Sequence, residues 1–124
     1  MPFYIAYRGG AGGASADYNE LRSQESMISI IVPCYNEQEA LPFFHEEVSR
    51  VLKEIGEDYE LLFVNDGSKD DTLKELKALS TKDPHVIYLS FSRNFGKEAA
   101  MYAGFCNAKG DYIAVMDADL QDPP

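Results

Sequence analysis

Residues 28–37 read Ile28-Ser29-Ile30-Ile31-Val32-Pro33-Cys34-Tyr35-Asn36-Glu37. The first five make a short β-branched run, which predicts a buried strand ending at Pro33. Beyond the polar residues, Leu41, Phe44, Val48, Val51, Leu52 and Ile55 recur at helical spacing, so 38–55 is expected to form a helix. Glu46 and Arg50 stand four apart as a favourable pair, and Gly56 suits the helix stop.

The alternation then repeats. Glu60-Leu61-Leu62-Phe63-Val64 reads as a second strand, and Leu73, Leu76 and Leu79 mark a second helix with Asp70 or Asp71 near its start. Pro84 bars that helix from continuing. Val86 to Phe91 reads as a third strand, Lys97 to Asn107 as a third helix, and Asp111 to Met116 as a fourth strand. Strands alternating with helices predict an α/β fold, a parallel Rossmann-like sheet with flanking helices. Ligands of such sheets bind outside the carboxyl ends of the strands. That rule singles out four loops, 33–37, 65–72, 92–98 and 117–122.

Residues 1–26 break the pattern. The run from Gly9 to Ala16 is small and lacks apolar periodicity, so the segment reads as a flexible extension, with Met27 a natural start. The remainder, 27–124, is read as one domain. The chain has 124 residues, 45% hydrophobic and 26% charged, within the range of a globular protein. Its net charge of -10 repels nucleic acids and anionic membranes, so no nucleic acid and no direct membrane contact are expected. Cys34 and Cys106 lack metal-ligand spacing and suggest no disulfide framework, which favours a reducing cytosol. No signal peptide and no apolar run long enough for a membrane span is seen.

The four loops carry the chemistry. In the first, a strand-to-helix turn with Asn36 as cap is one reading. The other gives Tyr35 as a flat face for a base and Glu37 as acceptor for ribose hydroxyls. In the second, Asp70 and Asp71 read as caps, while Asp66, just past a buried strand, can accept from the N–H edge of a base, and Gly67 permits close backbone approach. The third, Ser92 to Lys97, opens a helix whose amides and dipole favour an anion. There Arg93, Lys97 and Lys109 supply positive charge suited to a diphosphate. The fourth, Asp117-Ala118-Asp119-Leu120-Gln121-Asp122, ends an apolar strand with two carboxylates two apart. These can present oxygens to one hard cation, Mg²⁺ or Mn²⁺, with Gln121 adding an amide oxygen.

Three strings in this order, Ile-Val-Pro-Cys-Tyr-Asn-Glu (31–37), Val-Asn-Asp-Gly-Ser-Lys-Asp-Asp-Thr (64–72) and Asp-Ala-Asp-Leu-Gln-Asp-Pro (117–123), resemble family-two inverting glycosyltransferases of the GT-A fold. The resemblance covers Ile28 to Pro124. The string Ser-Phe-Ser-Arg-Asn-Phe-Gly-Lys-Glu (90–98) is similar to the subgroup that moves a sugar from a nucleotide donor to a polyprenyl phosphate. Dolichol-phosphate mannosyltransferases and bactoprenol glucosyltransferases belong to it. The resemblance implies that Pro33, Tyr35, Glu37, Val64 and Asp66 line the nucleoside pocket. It also implies that Lys97, Asp117 and Ala118 contact the donor, and that Asp117, Asp119 and Gln121 hold the metal and its waters. A UDP-sugar is the first expectation for donor and a GDP-sugar the second. The chain would then be the nucleotide-binding half of a longer protein at the cytoplasmic face of a membrane, the acceptor half lying beyond Pro124.

A phosphate acceptor is already anionic at neutral pH and needs no strong base. A sugar-hydroxyl acceptor would need one, from beyond Pro124, so no catalytic base is assigned. A dehydrogenase is disfavoured because Pro33 to Glu37 stands where a glycine-rich fingerprint would be. An aspartyl phosphatase would carry its paired acids after the first strand rather than the fourth. A nucleotide-binding fragment without its own catalysis stays open.

Overall fold

The computed structural model describes residues 3–7 and 27–119. In chain order the elements are β1 (Phe3–Tyr7), β2 (Met27–Cys34), α1 (Leu41–Ile55), β3 (Asp58–Asn65), α2 (Thr72–Lys82), β4 (Val86–Ser90), α3 (Lys97–Asn107) and β5 (Tyr112–Met116). One sheet holds all five strands in the order β1-β5-β2-β3-β4. The pairings β5–β2, β2–β3 and β3–β4 are parallel, as the alternation of strand and helix required.

β2 and β3 put apolar side chains on both faces because both faces of the sheet are covered. Ile30, Val32, Leu61 and Phe63 point to one face, where Phe44, Leu52, Leu76 and Leu79 of α1 and α2 meet them. Ile31, Leu62, Ile113 and Val115 point to the other, with Met101 and Phe105 of α3 packed on them. Gly104 lets α3 come close: a Cβ there would stand 2.4 Å from Ile31 Cγ2.

Several local expectations change in three dimensions. β2 runs through Pro33 to Cys34 rather than stopping at Pro33, in register with Val64 and Asn65. β5 pairs only with Ile28 to Ile31, so Pro33 lies past its last partner on that side and its missing N–H costs no ladder bond there. α1 begins at Leu41, three residues later than the periodicity suggested, because Glu37 O accepts the N–H groups of Ala40 and Leu41 in a preceding turn. Gly56 closes α1 at φ 85° as expected. Arg50 bonds Glu47 Oε1 at 2.7 Å, not Glu46. Within the segment read as a flexible extension, Phe3–Tyr7 form a strand antiparallel to β5, Phe3 opposite Met116.

Two polar clusters tie the layers together. At the amino-terminal edge of the sheet, buried Glu60 accepts from Ser29 Oγ at 2.6 Å and Lys109 N at 2.7 Å, and Ser29 Oγ accepts from Gly110 N. Lys109 therefore stands at the edge opposite Lys97, since α3 carries the chain about 16 Å across the sheet. The grouping of Lys109 with Arg93 and Lys97 does not hold. In the second cluster Asp83, at the end of α2, meets His45 Nε2 and His85 Nδ1, each at 2.8 Å, and accepts from His85 N. The His85 ring stacks on Tyr59, centroids 4.0 Å apart. Among the described residues no helix is long and apolar enough to cross a membrane.

Burial alone would raise the Asp83 carboxyl, but the His85 N–H and the two imidazoles outweigh it and hold the group at about 2, below its ordinary 3.8. A depressed acid adds stability above its unfolded pKa and loses it as pH falls through the folded one. Urea titrations at stepped pH should show the wild type losing, relative to Asp83→Asn, on the order of 2 kcal/mol between about pH 4 and pH 2. A wild-type-minus-variant difference independent of pH would contradict this. Gly104→Ala should lower stability by about 1–3 kcal/mol in the same assay, the usual cost of overpacking a filled contact.

Candidate active site

The strand order reverses beside β2: β3 and β4 lie to one side and β5 to the other. A crevice opens at the carboxyl end of such a reversal. Here it is a cleft of about 280 Å³ lined by Pro33, Cys34, Tyr35, Glu37, Asp66, Lys97, Asp117, Ala118 and Asp119. Every residue that the family resemblance implied for nucleoside, donor or metal lines it except two. Val64 is fully buried in β3, and Gln121 lies outside the described residues. Cys34 was not anticipated. It is buried, its Sγ donates to Val32 O, and burial first, then the Glu37 charge, push its thiol pKa up. Its place between Pro33 and Tyr35 at a strand end was the available signal.

The first loop is laced to the second. Asn36 adopts φ 56° and caps no helix. Its N–H donates to Ser68 Oγ, and its Oδ1 accepts from Lys69 N, both at 2.8 Å. Glu37 N donates to Thr72 Oγ1, and Gln38 Oε1 accepts from Asp71 N. Asp70 Oδ1 accepts the N–H of Thr72, so Asp70 rather than Asp71 caps α2. Tyr35 is left 42% exposed, with a ring face available at the cleft.

Asp66, expected to accept from a base, lines the cleft with its carboxylate already bonded within the protein. It is 4% exposed. Its Oδ1 accepts from Phe95 N at 2.7 Å, and its Oδ2 accepts from Gly96 N and Asn94 Nδ2, each at 3.0 Å. α3 has no side-chain cap of its own; this carboxylate, bonded to the N–H groups just before it, joins Glu98 of its first turn as negative charge at its amino terminus. Gly67, at φ 68°, lies so close to the Arg93–Asn94 peptide that a Cβ would sit 2.2 Å from Arg93 C. The close approach that its missing side chain permits is thus to the third loop. Arg93 stacks on Phe95, 4.4 Å from the ring centroid.

Lys97, the first residue of α3, places Nζ 2.8 Å from Asp117 Oδ1. Asp117 is partly buried, Ala118 buried and Asp119 exposed. The Glu37 carboxyl is pushed up by burial first, then by Asp119, Asp117 and Asp70. Several carboxylates thus share one small cleft with Lys97. Among the described residues no three His, Cys, Asp or Glu side chains converge as a metal cage. The fit to Mg²⁺ or Mn²⁺ is of another kind: one or two carboxylates, with water and ligand phosphates completing the shell. Asp117 and Asp119 match that donor set.

The chain is 51% identical over 100 residues to "Putative glycosyltransferase CsbB" of Bacillus subtilis, covering 81% of this chain and 30% of that protein. It is 48% identical over 96 residues to "Bactoprenol glucosyl transferase" of Shigella phage SfV, covering 77% of this chain and 31% of that protein. It therefore spans about 30% of the length of these curated relatives. In fold it is similar to S. aureus TarS in complex with UDP, with TM-score 0.63, 22% identity, and coverage of 75% of this chain and 27% of that one. It is likewise similar to the mannosyltransferase PcManGT of Pyrobaculum calidifontis in complex with GDP-Man and Mn²⁺, with TM-score 0.61, 21% identity, and coverage of 78% and 28%. These likenesses show that the sheet has the GT-A fold. Residues 29–124 match glycosyl transferase family 2, and the chain belongs to that family.

Proposed function

We propose that this chain binds the nucleotide diphosphate sugar, a UDP-sugar first, for a transferase that passes the sugar to a polyprenyl phosphate with inversion. The observation that carries the reading is the cleft itself. Its lining combines an exposed aromatic, Tyr35, with Lys97 and the paired acids Asp117 and Asp119. A nucleoside diphosphate has the matching parts, a flat base and a charged diphosphate. The bactoprenol relatives support the lipid-phosphate acceptor, and the UDP complex of the TarS neighbour supports the donor class.

On this reading Tyr35 and Pro33 flank the base and Glu37 accepts from the ribose hydroxyls. Asp66 serves the base pocket chiefly by fixing the third loop, since three donors already occupy most of its roughly four acceptor positions. Asp117 and Asp119 would hold the divalent ion. When bound, that ion stabilises negative charge on the departing diphosphate as a Lewis acid. Lys97 offers a second positive charge within reach of the same oxygens, and the start of α3 is held in place for it by Asp66. The acceptor phosphate is anionic at neutral pH, so no base is required of these residues.

Calorimetry of the chain with UDP and with GDP, in Mn²⁺ and in EDTA, tests the reading. UDP should bind more tightly than GDP, and only with the metal. Asp119→Ala should remove most of the metal dependence, whereas equal UDP affinity in Mn²⁺ and EDTA would defeat it. Asp66→Asn puts an NH₂ group against donors. It should cost about 1–3 kcal/mol of folding stability as well as weaken UDP. A variant as stable as the wild type would show that the third loop does not depend on this carboxylate.

A further inference from the structure

Lys97 is the cation that lines the cleft among the described residues, facing Glu37, Asp117 and Asp119. Its ammonium already lies 2.8 Å from Asp117 Oδ1, on a carboxylate that would hold the divalent ion. The two cannot share it at full strength, because like charges on one carboxylate repel. Yet the bond is easily given up. The Lys97 side chain is 51% exposed and that of Asp117 23%, and a pair so open to water contributes little. The backbone beneath Lys97 is held, since Phe95 N and Gly96 N are bound to Asp66. The four-carbon stem is what remains free to turn, and a lysine ammonium suits that use as a compact point charge with rotatable donors.

We propose that Lys97 keeps the divalent ion's place on Asp117 while the cleft is empty, and surrenders that carboxylate when metal and nucleotide arrive, its ammonium then turning to the diphosphate oxygens. The inference rests on the donor-binding reading above. In the empty state the ammonium relieves repulsion among the acids that raise the Glu37 carboxyl. In the loaded state one charge on Lys97 and two on the ion face the diphosphate together. The handover has a signature that a simple diphosphate contact lacks: removing the ammonium must help the metal alone and harm the nucleotide.

The test is an EPR titration of free Mn²⁺ against the whole chain without nucleotide, paired with calorimetry of UDP at saturating Mn²⁺, for wild type, Lys97→Met and Lys97→Arg. Lys97→Met should bind Mn²⁺ alone about two- to fivefold more tightly, the range expected from freeing one exposed ion pair. It should bind UDP at least about fivefold more weakly, having lost a charge-assisted contact. Lys97→Arg, which keeps the charge, should stay within about twofold of wild type for Mn²⁺ alone. Circular dichroism confirms folding, which an exposed side chain should not disturb. Mn²⁺ affinity unchanged or weaker in Lys97→Met overturns the handover while UDP binding still upholds the donor reading. UDP affinity unchanged in Lys97→Met overturns it as well. No UDP binding by the wild type overturns the donor reading and the handover with it.

Discussion

The carboxylate of Asp66 is the constraint on which the cleft depends. β3 is buried at every residue after its first, so its end is the least movable point at this edge of the sheet. From there Asp66 collects two backbone N–H groups and an amide of the third loop. Gly67 lets that loop lie directly on the turn. α3 begins with no side-chain cap of its own, and beside Glu98 of its first turn it draws on a carboxylate 30 residues earlier in the chain. The register of α3, and hence the starting point of Lys97, is set by β3.

The other loops are held in the same manner, each by its neighbour. The first is laced to the second through Asn36, Glu37 and Gln38. The fourth is tied to the start of α3 by Lys97 and Asp117. The strand order then decides where these walls meet. β5 stops pairing with β2 at Ile31, three residues before β2 ends at Cys34, and the gap beyond that point is the floor of the cleft. A fold needing no motif beyond alternation thus delivers Pro33 to Glu37 opposite Asp117 to Asp119 by connectivity alone.

What could be read from the sequence was whatever depends on local period and chain order. α3 has the bounds that its composition suggested, Gly56 stops α1, and the four loops, the fourth as far as Asp119, fall at one sheet edge. What could not be read was partner choice over distance. Asn36 is a plausible cap by type, but its partners lie 32 and 33 residues away. Asp66 was recognised as special by its place after a buried strand, but nothing local says that its bonds go to 94–96. Lys109 joined the wrong edge because charge was counted along the chain and not along the helix that crosses the sheet. Phe3–Tyr7 was absorbed into the glycine-rich segment beside it, since its strand partner begins more than a hundred residues on.

Charge sets the last condition on the site. The chain carries a net -10, and in the cleft burial first, then Asp119, Asp117 and Asp70, push the Glu37 carboxyl up. A diphosphate entering alone would meet Asp117 and Asp119 with only Lys97 in its favour, and Lys97 is engaged by Asp117. On the proposed reading, a divalent ion entering alone would find Asp117 and Asp119 but no three converging His, Cys, Asp or Glu side chains among the described residues. Each would then lack what the other supplies: the ion offers charge to the phosphates, and the phosphates complete the coordination of the ion. Binding of the two would be coupled, and by linkage the coupling would be equal in both directions. A complete cage of protein ligands would strengthen the ion and erase that dependence.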